Sequence, residues 1–116
     1  MIKDNTISIL TPTRNRPNNC ERFIKSIYNT AKNPGNIELH FYVDNDDPSL
    51  EAYKSLAKHC YEEYNKFYKC EFEFGEPMSV SQSWNIIATK STSYLLIMGN
   101  DDLIYRTPEW DTRLIQ

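Results

Sequence analysis

The sequence predicts a single α/β domain with a Rossmann-like parallel sheet and helices on both faces of the sheet. Strand-like runs alternate with helix-like runs, and polar residues cluster directly after the strand-like runs. The chain length of 116 residues suits one hydrophobic core. Hydrophobic residues make up 40% and charged residues 25%, as in ordinary globular proteins. There is no internal repeat or linker, so the expected domain covers residues 1–116.

Four short runs of apolar and β-branched residues predict strands. The first run ends at Pro12, the second at an acidic turn, the third at Gly75 and the fourth at Gly99. The fourth run is apolar without alternation, which predicts a strand buried on both faces. The four runs are 6–11, 37–43, 69–74 and 94–98.

Apolar residues three and four positions apart predict a helix after each of the first three strands. Asn18 or Asn19 is the expected N-cap of the first helix, and Ser79 or Ser81 that of the third. Trp84 lies on the apolar stripe of the third helix, which predicts a core position. The stripes lie in 23–31, 50–64 and 80–88, and the tail 108–115 can start one more helix.

Charge and cysteine content narrow the classes of partner and compartment. The net charge of -3 argues against a nucleic-acid partner, which would require a basic face. No apolar run is long enough for a transmembrane segment. The three cysteines, Cys20, Cys60 and Cys70, have no CxxC spacing, so we expect buried thiols in a reducing, cytoplasmic compartment.

Polar side chains follow three of the predicted strands. Arg14 and Arg16 lie after the first strand, Asp44 after the second, and Asp101 and Asp102 after the fourth. The carboxyl ends of parallel strands share one edge of the sheet, and ligands bind there. Adjacent carboxylates repel each other unless a cation lies between them, and Mg²⁺ or Mn²⁺ prefers such oxygen ligands. With arginines beside them, these residues predict a phosphate-bearing ligand, most simply a nucleotide.

Not every acid in these loops needs a ligand. Asp46 and Asp47 precede Pro48, and they suit a turn or a helix cap as well as a binding role. For Asp101 and Asp102 binding is the favoured role, because two adjacent acids directly after a buried strand exceed what a single cap requires.

The same loops resemble those of the GT-A glycosyltransferases, particularly inverting family 2, over residues 7–102. The run 7–16 resembles the opening strand and loop of that family, and the run 95–102 resembles the strand leading into its DxD motif. Asp44 matches an aspartate that contacts the nucleotide base, and Asn85 matches an asparagine of the helix before the metal motif. The resemblance implies a nucleotide-diphosphate sugar as donor.

The resemblance also implies the residues of the site. Asp101 and Asp102 would meet Mn²⁺ or Mg²⁺ and the diphosphate. Gly99 stands where the family often has its first aspartate, so which acid binds the metal stays open. The implied donor-binding residues are Thr11, Thr13, Arg14, Arg16, Asp44, Asp46, Asn85 and Asp101.

The chain has no counterpart of the family's acceptor half or of its catalytic base, so we expect a truncated GT-A domain that binds a donor but barely transfers sugar. The acceptor and the donor sugar have no signal in the sequence. An apolar edge beside the fourth strand would favour a homo-oligomer. The alternatives are a non-catalytic nucleotide-sugar-binding or interaction module and, less favoured, a nucleotidyltransferase, because no Gly-rich loop follows the first strand.

Overall fold

The computed structural model describes residues 3–115, so residues 1, 2 and 116 of the expected domain lie outside the described part. It confirms the α/β prediction, since four parallel strands form one sheet. The strands are β1 (Lys3–Pro12), β2 (Ile37–Asp44), β3 (Lys69–Gly75) and β4 (Ser93–Met98). The helices are α1 (Pro17–Thr30), α2 (Leu50–Glu63), α3 (Val80–Ala88) and α4 (Trp110–Ile115), with a 3₁₀ turn at Pro34–Asn36.

The sheet order is β3-β2-β1-β4. The chain therefore moves outwards from β1 to β3 and then crosses back to place β4 on the other side of β1. The order reverses between β1 and β4, which is where an open α/β sheet leaves a crevice outside its carboxyl ends.

Alternation along the strands supplies both faces of the sheet with apolar side chains. Ile9 and Leu39 are fully buried in the main core, together with side chains of α1 and α2. Leu10 and Tyr42, which point to the opposite face, pack on Ile87 of α3. The prediction of helices on both faces is therefore confirmed. None of the helices in residues 3–115 has the length and apolarity needed to cross a membrane.

The strand β4 differs from its prediction. Tyr94, Leu96 and Met98 are 67%, 48% and 67% exposed, so β4 is not buried on both faces. It is an edge strand, and α3 packs over β1 and β2 instead of covering it. An apolar run alone does not show whether a strand will be central or at an edge.

The helix starts follow local chemistry. The N-cap of α1 is Arg16 and not Asn18 or Asn19, because Pro17 takes the first helical position. Proline fits there since its fixed φ suits the helix and its missing N–H would have no helical partner. Ser79 caps α3 in a capping box with Gln82, which settles the choice between the two predicted serines.

A buried polar network lies on the α3 face of the sheet. Glu38 and His40, two residues apart on β2, are only 1% and 2% exposed. The His40 Nε2 donates to the Glu38 carboxylate at 2.7 Å, and the Thr92 hydroxyl donates to its other oxygen at 2.5 Å. Burial acts to raise the pKa of Glu38, but the hydrogen bonds from Thr92 and His40 outweigh it, so the pKa is lowered.

Candidate functional site

A cleft of about 310 Å³ opens at the carboxyl ends of β1 and β4, where the strand order reverses. The loop after β1, the start of α3 and the loop after β4 form its walls. Four of the predicted site residues, Thr13, Arg14, Arg16 and Asp101, line it. The other lining residues are Pro12, Val80, Trp84, Gly99 and Asn100.

A chain of hydrogen bonds fixes Asp101 in this cleft. The Arg16 backbone N–H donates to the Tyr53 hydroxyl at 2.9 Å. The hydroxyls of Tyr53 and Thr13 are 2.7 Å apart, and Thr13 donates to Asp101 Oδ2 at 2.6 Å. Because Thr13 has one hydroxyl proton and gives it to Asp101, Tyr53 must donate to Thr13. Burial raises the pKa of Tyr53 to about 12, which keeps the proton that this bond needs.

Arg16 lies against both acids that follow β4. Its Nη1 is 2.7 Å from Asp102 Oδ2 and 3.6 Å from Asp101 Oδ1. Asn19 donates to the second oxygen of Asp102 at 3.1 Å. Asp101 is buried, whereas the side chains of Arg16 and Asp102 are about half exposed. One acid is therefore fixed and the other is free to adjust.

Arg14 connects the first loop to the acidic turn after β2. Its Nη1 is 2.8 Å from Asp44 Oδ2 and 3.0 Å from Asp46 Oδ1. The hydrogen bond and charge of Asp46, joined by Asp44, raise the pKa of Arg14. Arg14 thus links Asp44 and Asp46 to the cleft. In this ion-pair network Arg14 and Asp46 are about half exposed, whereas Asp44 is partly buried.

Asp47 has the turn-forming role that the sequence offered as an alternative to binding. It is 5% exposed and accepts hydrogen bonds from the backbone N–H groups of Ser49, at 2.7 Å, and Asn15, at 2.9 Å. The first bond forms the turn that leads into α2, and the second holds the loop after β1 against it. Asp47 therefore positions the loop that carries Arg14 and Arg16.

Thr11 lies beneath the cleft and does not line it. The residue is fully buried, and its hydroxyl has no hydrogen-bond partner among the described residues. A Cβ on Gly99 would overlap the Thr11 hydroxyl oxygen and lie 2.8 Å from Ile9 Cγ2. This crowding explains why a glycine follows β4 at this position. The predicted contact of Thr11 with a donor does not fit this placement, because β1 points its side chain into the core.

Asn85 is also placed away from the other predicted residues. It is exposed on α3 and lines a separate depression with Glu76, Gln82 and Ile86. The helical turn places Trp84, its neighbour, on the cleft side instead. The implied donor contact of Asn85 is therefore not brought to the cleft.

Trp84 packs against the buried cluster on the α3 face of the sheet, as its apolar stripe predicted, and it also lines the cleft. It is partly buried, and its Nε1 donates to the Leu10 carbonyl at 3.1 Å. With Val80, one helical turn earlier, it forms the apolar wall of the cleft. The spacing of Val80 and Trp84 at the start of the helix after β3 could have indicated this position, since that end of α3 faces the carboxyl edge.

A cysteine lies close to this site without taking part in it. Cys20 of α1 is fully buried. Burial, with the charge of Asp101 added, raises the pKa of its thiol well above the usual value. A protonated, buried thiol is neither a nucleophile nor a metal ligand.

The carboxylate oxygens of Asp101 and Asp102 are suitable ligands for a hard divalent cation, but they do not fill its coordination shell. Two carboxylates are a common protein contribution to Mg²⁺ or Mn²⁺, which then completes its shell with water and substrate phosphates. Among the described residues no cluster of three or more His, Cys, Asp or Glu side chains is present, so the protein itself offers no complete cage. The pair therefore fits a metal that arrives with a phosphate ligand.

Comparison with solved structures identifies the fold as that of the GT-A glycosyltransferases. A mannosyltransferase from Pyrobaculum calidifontis, PcManGT, in complex with GDP-Man and Mn²⁺, matches with a TM-score of 0.73 and 13% identity over 91% of this chain. TarS 1-349 of S. aureus in complex with UDP matches with a TM-score of 0.65 and 14% identity over 94% of this chain.

This chain spans 31% of the mannosyltransferase and 30% of TarS, so less than a third of each neighbour is represented. At this level of identity the likeness establishes the fold. No protein-family model matches the sequence, and no curated protein sequence does.

Proposed function

We propose that this chain is a nucleotide-sugar-binding α/β domain that supplies the donor site of a glycosyltransferase. The observation that carries the proposal is the cleft at the β1–β4 reversal. Two arginines and Asp101 line this cleft, and Arg16 also binds Asp102, the next acid along the chain. Both neighbours are described with a nucleotide ligand, GDP-Man in one and UDP in the other. The cleft volume of about 310 Å³ falls at the lower end of small-molecule pockets.

Different residues of the cleft would bind different parts of the nucleotide-sugar donor. Arg16 lies at the cleft and would bind the diphosphate, whose charge and geometry match a guanidinium. Asp101 and Asp102 would hold Mn²⁺ or Mg²⁺, and a bound metal neutralises the charge that develops on a leaving diphosphate. Arg14 with Asp44 forms the rim on the β2 side, where the resemblance locates the nucleotide base.

The test is nucleotide binding with and without metal. Calorimetry with UDP and GDP should show affinity that increases when Mn²⁺ or Mg²⁺ is added. The melting temperature of the chain should rise under the same conditions. Asp102→Asn should lose most of the metal-dependent part, because it removes charge facing the cation while keeping the shape. Glu62→Gln on the exposed surface of α2 is the control for a lost charge.

Equal affinity with and without metal would contradict the role of the two acids. Absence of binding to any nucleoside diphosphate would contradict the donor site itself. UTP and GTP serve as comparisons, since tighter binding of triphosphates would favour the nucleotidyltransferase alternative.

A non-catalytic binding module is the second candidate. Among the described residues, the lining of the cleft contains one carboxylate, Asp101, and the Thr13 hydroxyl already holds it. A general base must be free to take a proton from the acceptor, and one positioned acid or base contributes about 10²–10⁴-fold. Donor turnover by the 116-residue chain against a panel of simple acceptors separates the two candidates. At most slow donor hydrolysis is expected, and rapid transfer would exclude the binding module.

A further inference from the structure

Arg16 occupies the position between the two acids that follow β4. Its single Nη1 atom lies 2.7 Å from Asp102 Oδ2 and 3.6 Å from Asp101 Oδ1. A divalent cation that used both carboxylates would need this same space. The guanidinium therefore neutralises the pair and competes directly with a metal for it.

The surroundings allow the Arg16 side chain to leave while Asp101 stays in place. Asp101 is buried and held by Thr13, so its oxygens keep their place. The backbone of Arg16 is anchored by the Tyr53 hydroxyl, but its side chain is 52% exposed. An exposed ion pair of this kind is weak enough to be broken by a competing dication.

We infer that Arg16 is an internal counter-cation which a divalent metal must displace, and that the displaced guanidinium then becomes a ligand of the diphosphate. This inference rests on the proposed donor site. It assigns one residue two successive partners. Arg16 pairs with Asp101 and Asp102 in the free chain, and with the nucleotide anion in the complex.

The exchange couples the two ligands. A metal that binds alone displaces Arg16 into solvent, where the guanidinium has no new partner. An anion that binds alone draws Arg16 away from Asp101 and Asp102 and leaves their charges without a counter-cation. When both bind, each removes the penalty of the other. Metal and nucleotide should therefore bind with positive cooperativity, and the coupling must be the same in either order of addition.

The first measurement uses Mn²⁺ alone, followed by electron paramagnetic resonance, on the 116-residue chain. Arg16→Gln should bind Mn²⁺ more tightly than the unmodified chain, on the order of fivefold, since an exposed ion pair contributes little more than that. Arg22→Gln on the exposed surface of α1 removes the same charge away from the cleft and should leave the Mn²⁺ affinity unchanged.

The second measurement is the affinity for UDP and GDP with and without Mn²⁺. In the unmodified chain each ligand should strengthen the other. In Arg16→Gln this mutual strengthening should be largely lost, and nucleotide binding should weaken. Arg16→Lys, which keeps the charge without the planar fork, should give an intermediate Mn²⁺ affinity, and it serves as the test if the glutamine variant does not fold.

Unchanged or weaker Mn²⁺ binding by Arg16→Gln would overturn the inference, as would an intact coupling between metal and nucleotide in that variant. These outcomes are distinguishable from failure of the proposed function. If the proposed function fails, no nucleoside diphosphate will bind to the unmodified chain or to its variants. The Mn²⁺ titration would still report whether Arg16 blocks metal binding by Asp101 and Asp102.

Discussion

Replacing Tyr53 by phenylalanine tests whether the buried hydroxyl organises the cleft. The ring is fully buried and would keep its packing on Phe72. The hydroxyl connects the Arg16 backbone N–H to Thr13, whose own proton goes to Asp101. The substitution therefore removes two hydrogen bonds and leaves a backbone N–H without its acceptor.

The expected loss of stability follows from these two bonds. Each buried hydrogen bond contributes about 1 kcal/mol net, and an unsatisfied donor adds to the cost, so the loss should be about 2 kcal/mol. For a chain of 116 residues this corresponds to a fall in melting temperature of roughly 8 °C. Nucleotide affinity should fall as well, because Thr13 loses the donor that directs its proton towards Asp101.

Thermal unfolding followed by circular dichroism measures the first effect, and calorimetry with UDP and Mn²⁺ measures the second. Tyr61→Phe is the matched control, because this tyrosine lies on the same helix and is 84% exposed. If Tyr53→Phe unfolds at the same temperature as Tyr61→Phe and binds nucleotide equally well, the hydrogen-bonded chain does not support the site.

Two further predictions concern the surroundings of the cleft. Gly99→Ala should destabilise the chain by about 1–3 kcal/mol in thermal unfolding. The new Cβ would overlap the Thr11 hydroxyl oxygen, and the buried side chains around it have no flexible end that could move aside. An unchanged melting temperature would contradict this packing. The uncharged edge strand β4 should cause concentration-dependent self-association in light scattering, and Leu96→Lys should abolish it while Leu114→Lys on α4 should not. A monomer at all concentrations would show that the edge is already protected.

Much of the fold follows from local sequence patterns. Alternation and helical spacing act over a few residues, so the four strands and the helices between them could be predicted. The position of β4 at the edge could not, because it depends on where the crossover from β3 returns to the sheet. The exposure of Leu96 and Met98 is a consequence of that return and not of their own hydrophobicity.

The site divides in the same way. The acids and arginines after the strands could be predicted, because parallel strands share one carboxyl edge. Their pairing could not, since Arg14 and Arg16 are two residues apart yet bind acids of different strands. Tyr53 was missed because a tyrosine on an apolar helical stripe has the same spacing whether or not its hydroxyl is used. Local sequence patterns carry no information about contacts between elements that are far apart in the chain.

Glu38 should make the stability of this chain depend on acid pH. Its pKa is lowered in the folded state, so it contributes stability above the pKa of the unfolded chain, and this stability is lost as the pH falls through the folded pKa. Thermal unfolding between pH 7 and pH 3 should therefore show a steeper decline below about pH 5 for the unmodified chain than for Glu38→Gln. Glu71→Gln is the control, because Glu71 is an exposed acid on neighbouring β3, aligned with His40. The control curve should parallel that of the unmodified chain. If Glu38→Gln also parallels it, the buried carboxylate does not titrate in this range and the network with His40 and Thr92 does not stabilise its charge.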